Sequence, residues 1–208
     1  MKREEKNQQM RRRIMDSALS EFSRQGYGAS SINAICASQD ISKGIVYHYF
    51  KTKDDLFLSC VGECFDRLTE YLRAHVQLEC GSTEARLETY FAARLAFFEE
   101  HPVYQRIFCE VVMTPPAHLK AGIQERTREF NALNLRILEQ LLAPVALRSD
   151  ITKSEVIETF QQFQDFINAK SQMTEAAQLG FEAHESSCKK ALHILLYGVI
   201  EREERQNV

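Results

Sequence analysis

The sequence predicts an all-α protein of about nine helices, on three observations. Apolar residues recur at three- and four-residue steps along most of the 208 residues, as one buried face of a helix requires. No run alternates with the two-residue period of a strand. The main interruptions, at Gly26-Tyr27-Gly28, Gly81-Ser82-Thr83 and Thr114-Pro115-Pro116, fall between periodic stretches.

The elements follow in order. A first helix is expected over roughly 8–25, with Ile14, Ala18 and Phe22 on one face and Leu19 beside them; Gly26 and Gly28 supply its stop. Ser30 or Ser31 can cap a short second helix that runs to about Ser38 and buries Ile32 and Ile35. Gln39-Asp40-Ile41 makes a turn, and Ser42 caps a short third helix. Thr52 with Asp55 is a partial capping box for a long fourth helix to about Gln77, whose apolar side includes Leu56, Cys60, Cys64 and Leu68. Further helices are expected near 83–99, from His101-Pro102, near 119–142, near 153–170 and over about 182–203.

Hydrophobic residues make up 44% of the chain and charged residues 26%, the balance of a globular protein with a substantial core. Residues 1–53 carry ten basic against five acidic side chains, a balance of +5, which leaves −8 on the rest of a chain totalling −3. A basic head on an acidic body suits phosphate contact by the head, and equally a solvated charged face. Arg11, Arg12 and Arg13 divide between the same two readings, a DNA-contacting arm and a solvated helix start. No signal-peptide pattern opens the chain and no apolar run approaches a membrane span, so a cytoplasmic protein without a membrane partner is expected. The six cysteines lack CxxC or disulfide-framework spacing and read as free thiols. Neither HExxH, a P-loop, GxSxG nor zinc-ligand spacing occurs, so no enzyme, metal or cofactor is expected. Cys60 and Cys64, one turn apart, read most simply as the buried face of the fourth helix.

Ser42-Lys43-Gly44-Ile45-Val46-Tyr47-His48-Tyr49-Phe50 carries the chemistry. A helix-turn-helix reader needs one helix whose first residues meet base edges and another that crosses the backbone. Ser42 at the cap leaves backbone N–H groups facing phosphate. Lys43 can donate to guanine O6/N7 or to phosphate. Gly44 lets the helix start lie close to the groove floor, and Tyr47, His48 and Tyr49 add donors. Ile41, Val46 and Phe50 are the expected buried anchors, while Tyr47 and Tyr49 combine ring packing with a hydroxyl for phosphate.

Over Arg12 to Leu58 the chain resembles the DNA-binding domain of the TetR/AcrR family of transcriptional regulators. The resemblance rests on Ile14-x3-Ala18-x3-Phe22, Gly26-Tyr27, Ser31-Ile32-x2-Ile35, Ile41-Ser42-Lys43-Gly44, Tyr47-x-Tyr49-Phe50 and Lys53-x2-Leu56 in register. It implies a three-helix helix-turn-helix domain at 1–52 and a helical ligand-binding and dimerisation domain at 53–208. It implies a recognition helix at about Ser42–Tyr47, with Lys43, Gly44, Tyr47 and His48 nearest the bases. Ser31, Tyr49 and Lys53 would hold phosphates, and Asn33 would also reach the DNA. Family members usually carry Ala-Gly in the turn where this chain has Gln39-Asp40; Asp tolerates the left-handed conformation needed there.

The same resemblance implies a homodimer on a palindromic double-stranded DNA operator, its interface built from the last two helices. Candidates there are Val156, Phe160, Phe163 and Ile167 on one stripe and Cys188, Leu192, Leu195, Leu196 and Val199 on the other; such stripes suit an intramolecular core equally. A small, lipophilic or aromatic effector would enter among Phe91, Leu95, Phe98, Tyr104, Phe108, Met113, Phe130, Leu133 and Phe163, although aromatics at helical spacing are also ordinary core. Glu110 or Arg94 could orient a charged ligand, although a surface position is the expectation for both. The implied mechanism is a population shift by an effector that favours a second body conformation, with relief of repression expected and activation the other outcome. The alternative is a DNA-binding regulator with a protein partner or structural role and no small-molecule inducer.

Overall fold

The computed structural model describes residues 3–76, 81–173 and 181–199, apart from the side chains of 169–173 and 196–199. The described residues form α1 (Arg3–Ala29), α2 (Ile32–Ser38), α3 (Lys43–Tyr49), α4 (Lys53–His75), α5 (Thr83–Glu100), α6 (Pro102–Met113), α7 (Lys120–Leu142), α8 (Lys153–Met173) and α9 (Phe181–Val199). A 3-10 turn, Ala117–Leu119, precedes α7, and no strand occurs among these residues. The all-α expectation is met. Expected helix at 200–203, Gln77 at the end of the fourth helix, and Cys80 lie outside the described residues.

Local chemistry accounts for the boundaries. Ser31 caps α2, accepting from the Ala34 N–H at 3.1 Å, and Ser42 caps α3 by accepting from Ile45 N–H at 3.4 Å. Asp55 N–H donates to Thr52 Oγ1 at 3.0 Å before α4, half of the expected capping box. Thr152 and Glu155 complete a full one before α8: Thr152 N–H donates to Glu155 Oε2 at 2.8 Å, and Glu155 N–H returns to Thr152 Oγ1 at 3.3 Å. Helix α1 begins five residues earlier than expected, at Arg3. Where a stop was expected it kinks at Gly26 and runs on to Ala29: Gly26 has φ 76° and ψ 170°, a conformation open essentially only to glycine.

The chain divides into two compact units. One comprises residues 1–70 and 96–130; the other comprises 71–95 and 131–208. In the first, Ile14, Ala18, Leu19 and Phe22 of α1 are buried with Leu56, Phe57, Cys60 and Cys64 of α4. Helix α6 packs along α1. The Phe65 ring stacks on Phe108 at 5.5 Å and meets Phe130 edge-on at 5.2 Å. Burial pushes both the Cys60 and Cys64 thiols up, so neither is a thiolate at neutral pH.

The second unit buries Leu87, Tyr90, Phe91, Leu133, Ile137, Leu138 and Val156. It also buries a polar chain, which corrects the surface placement expected for Arg94. Arg94 donates to Glu185 Oε1 at 2.9 Å and to the Tyr90 hydroxyl at 3.1 Å, and that hydroxyl donates to Asn134 Oδ1 at 2.7 Å. Burial opposes the charge on Arg94, and Glu185 more than restores it. A buried arginine is tolerated when its charge is paired, and the pairing residue lies 91 positions away in sequence. Glu110, in the first unit, is half-buried for a related reason. The turn at Gly26 directs the Tyr27 N–H onto its carboxylate, at 3.0 and 2.9 Å. Burial raises the pKa of Glu110.

Candidate nucleic-acid interface

The α2–turn–α3 segment is fastened to α1 by polar contacts and to the core by a few apolar ones. Ser17 Oγ, buried on α1, donates to Ile35 O at 2.6 Å. Arg13 Nη2 donates to Gln39 O at 2.9 Å, and Ile41 N–H to Cys36 O at 2.9 Å. Asp40 takes φ 50°, the left-handed conformation expected of it. Ile41, Val46 and Phe50 are buried, as expected of anchors. They fix one side of a seven-residue helix and leave the rest of its surface to solvent.

That free surface carries the residues singled out from the sequence. Ser42, Lys43, Gly44, Tyr47 and His48 are exposed, and Tyr49 is half-buried with its ring edge-on to His48 at 5.1 Å. Ser31 and Asn33 at the start of α2 are also exposed. A Cβ placed on Gly44 meets nothing within 4 Å, so nothing inside the protein requires glycine there. Lys53 differs from the others. Its ammonium donates to Tyr27 O at 2.7 Å and Ser30 O at 3.0 Å and lies 4.1 Å from the centre of the Tyr27 ring. It therefore caps carbonyls at the α1–α2 corner, a role the sequence alone does not indicate.

The arginine run is occupied within the protein. Arg11 lies 5.3 Å over the Phe50 ring, Arg12 pairs with Asp16 and, at 2.7 Å, with Glu63, and Arg13 holds the turn. Tyr104 completes the Arg12 cluster by donating to Glu63 Oε1 at 2.6 Å. Nearby, Tyr27 donates to Asp54 at 2.6 Å; burial, and then this bond, push its phenol up to about 12. Ile45 belongs with the exposed surface of α3 and is missed by sequence reasoning. Its signal was available: Val46 and Phe50, four apart, define the buried stripe, and Ile45 lies about 100° off it.

The candidate effector residues fall in both units. Phe98, Tyr104, Phe108, Met113 and Phe130 belong to the first, and Phe91, Leu95, Leu133 and Phe163 to the second. Six of the nine are buried, Leu95 and Met113 are half-buried, and Phe163 is exposed. Phe98 and Phe130 both pack on Phe108, at 5.0 and 6.1 Å. Among the interface candidates, Val156, Cys188 and Leu192 are buried, while Phe160, Ile167 and Leu195 are half-buried. Leu196 and Val199 lie outside the described side chains.

A capped pair of short helices, the second with one buried stripe and a polar exposed surface, defines a helix-turn-helix protein of all-helical class. Residues 14–60 match the family model for bacterial regulatory proteins of the tetR family. The likeness to the tetR family model is confined to that region, about a quarter of the chain. It is 26% identical over 106 residues to IcaR, the HTH-type negative transcriptional regulator of the biofilm operon icaADBC in Staphylococcus aureus. That match covers 51% of this chain and 55% of IcaR, so the chain spans about half the length of such relatives. It is 34% identical over 64 residues to the HTH-type transcriptional repressor KstR of Mycolicibacterium smegmatis, about 31% of each. Solved structures share the fold over nearly the whole chain. FadR of Bacillus subtilis, in complex with stearoyl-CoA, superposes with a TM-score of 0.64 at 16% identity, covering 89% of this chain and 97% of its own. A tetR-family regulator from Shewanella sp. PV-4 gives 0.62 at 16%, covering 93% and 99%. Among the described residues no helix is long and apolar enough to cross a membrane.

Proposed function

We propose that the protein is a cytoplasmic, DNA-binding transcriptional repressor that acts as a homodimer on a palindromic operator. In this reading residues 1–52 read DNA, and residues 53–208 dimerise and bind a small lipophilic or aromatic effector that releases the operator. One observation carries it: Val46 is fully buried and fixes α3, while Lys43, Ile45, Tyr47 and His48 stand free on the same helix. Lys43 then donates to guanine or phosphate, Ile45 meets a thymine methyl, and Tyr47 and His48 donate to bases or backbone. Ser31, Ser42 and Tyr49 position the backbone, with Asn33 beside them.

The effector half draws support from the fold. FadR of Bacillus subtilis holds stearoyl-CoA on the same architecture, so a body of this class can open around a lipophilic molecule. A second reading, a regulator without a small-molecule inducer, is favoured by the packing of Phe98, Phe108 and Phe130 against one another.

Selection of bound duplexes from a random pool tests the central claim. The expected product is a palindromic consensus that is abolished, or relaxed at one position in each half-site, by Lys43→Ala. Removing a bidentate donor to a base lowers affinity for the consensus by about 1–3 kcal/mol. The absence of any consensus sinks the DNA-reading role. Release of the selected duplex by long-chain acyl or aromatic compounds supports the inducer, and unchanged affinity across such a panel supports the second reading.

A further inference from the structure

Helix α1 extends well past what the core requires. Its first buried residue is Ile14 and its first contacts with other elements are made by Arg11, Arg12 and Arg13, so residues 3–9, all exposed, project about 10 Å of helix at 1.5 Å per residue beyond the packed part. A segment that buries no apolar face gains little from packing, and its composition is polar and charged. Arg3, Lys6 and Asn7 lie on one side of it, at the three- and four-residue spacing that aligns side chains along a helix. That side faces α3 across an open groove of about 1080 Å³, whose other wall includes Gly44, Ile45 and His48.

The electrostatics of the groove follow from which cations are occupied. Arg12 is in ion pairs, Arg11 stacks on Phe50 and Arg13 holds a carbonyl. Arg3 and Lys6 are exposed and have no ion-pair partner among the described residues. Glu4 also lines the groove and offsets one of the two charges. The groove is therefore net cationic and continuous with the exposed surface of α3.

We propose that the first two turns of α1 are a second DNA-contacting element. In it Arg3 and Lys6, with Asn7 donating beside them, hold phosphates of the strand that flanks the base pairs read by α3. The inference rests on the DNA-reading role of α3 and adds to it a sequence-independent clamp. The clamp contributes affinity and register and carries no base information.

The test is the salt dependence of duplex binding by the full-length chain, measured on the selected consensus and on an unrelated duplex. Wild-type binding comes first: if the wild type binds neither duplex, the DNA-reading role itself fails. If it binds, Arg3→Ala/Lys6→Ala makes the plot of log affinity against log salt shallower by about 0.9 for each phosphate no longer neutralised. Between about 50 and 200 mM salt, each such phosphate accounts for about a 3.5-fold share of the wild-type sensitivity. Both duplexes weaken by the same factor, and Glu4→Gln shifts affinity in the opposite direction. Lys153→Ala/Lys190→Ala, two exposed lysines of α8 and α9, controls for net charge. A slope for the α1 variant no different from this control overturns the clamp. Weakening confined to particular base sequences overturns its assignment to phosphate.

Discussion

Val46 and Tyr47 are neighbours in sequence, yet the first is fully buried and the second half exposed, because successive helical residues point about 100° apart. Function on α3 is decided at this scale, by which residues fall off the single buried stripe. Gly44 gives the cleanest separation of fold from function. Its neighbourhood has room for a Cβ, and alanine is a better helix former than glycine by up to about 1 kcal/mol. Gly44→Ala is therefore expected to leave thermal stability unchanged or slightly raised while weakening operator binding, as melting curves beside duplex titrations would show. An equal drop in both measurements would place Gly44 in the fold. The caps Ser31 and Ser42 and the anchors Ile41, Val46 and Phe50 are legible in sequence because each acts within a few residues of itself. The capping role of Lys53 is not, because Tyr27 O lies 26 positions away.

Between elements, polar clusters of distant residues hold helices together. Arg12 of α1, Glu63 of α4 and Tyr104 of α6 meet in one. Burial pushes the Glu63 carboxyl up, but the bonds from Arg12 and Tyr104 outweigh it and hold its pKa below the usual carboxylate range. A carboxyl with a depressed folded pKa contributes stability above its unfolded value, near 4.3. That contribution disappears as pH falls through the lower folded value. Glu63→Gln should thus cost about 1–2 kcal/mol at pH 7, a figure kept small by the solvent exposure of Arg12. The gap from wild type should narrow below about pH 4, and urea titrations across that range check both points. The Arg94–Glu185 pair in the second unit has both partners buried. Removing one partner by Glu185→Ala leaves the Arg94 charge buried without its carboxylate and is expected to cost about 3–5 kcal/mol, read from the same titrations. Neither cluster is legible in sequence, since Glu and Arg at helical positions are ordinarily surface residues.

Among the described residues, large apolar side chains are left exposed on α3, on α7 and on the last two helices. Phe163 and Phe166 of α8 and Ile194 of α9 are exposed, and the two rings lie 6.2 Å apart. Large exposed aromatics suit a partner surface, and in the proposed dimer that partner is a second copy. Phe166→Glu should shift the protein to monomer in sedimentation while helicity stays constant. Operator affinity should fall with it, because a monomer engages one half-site. A dimer persisting in the Phe166→Glu variant would exclude this face.

The sequence by itself determined most of the helices, the caps Ser31 and Ser42, the left-handed turn at Asp40 and which helix is proposed to read DNA. Each of these follows from residues within one or two turns of each other, where backbone geometry and hydrogen bonding are local. Only the tertiary structure decided which charges are occupied and which are free. Arg11, Arg12 and Arg13 look available in sequence but have partners, whereas Arg3 and Lys6, which in sequence only add to the basic balance of residues 1–53, line the groove beside α3. The physical reason is that a side chain's availability depends on partners brought near by packing, and the distance along the chain to those partners, 51 residues for Arg12 and Glu63, carries no local signature.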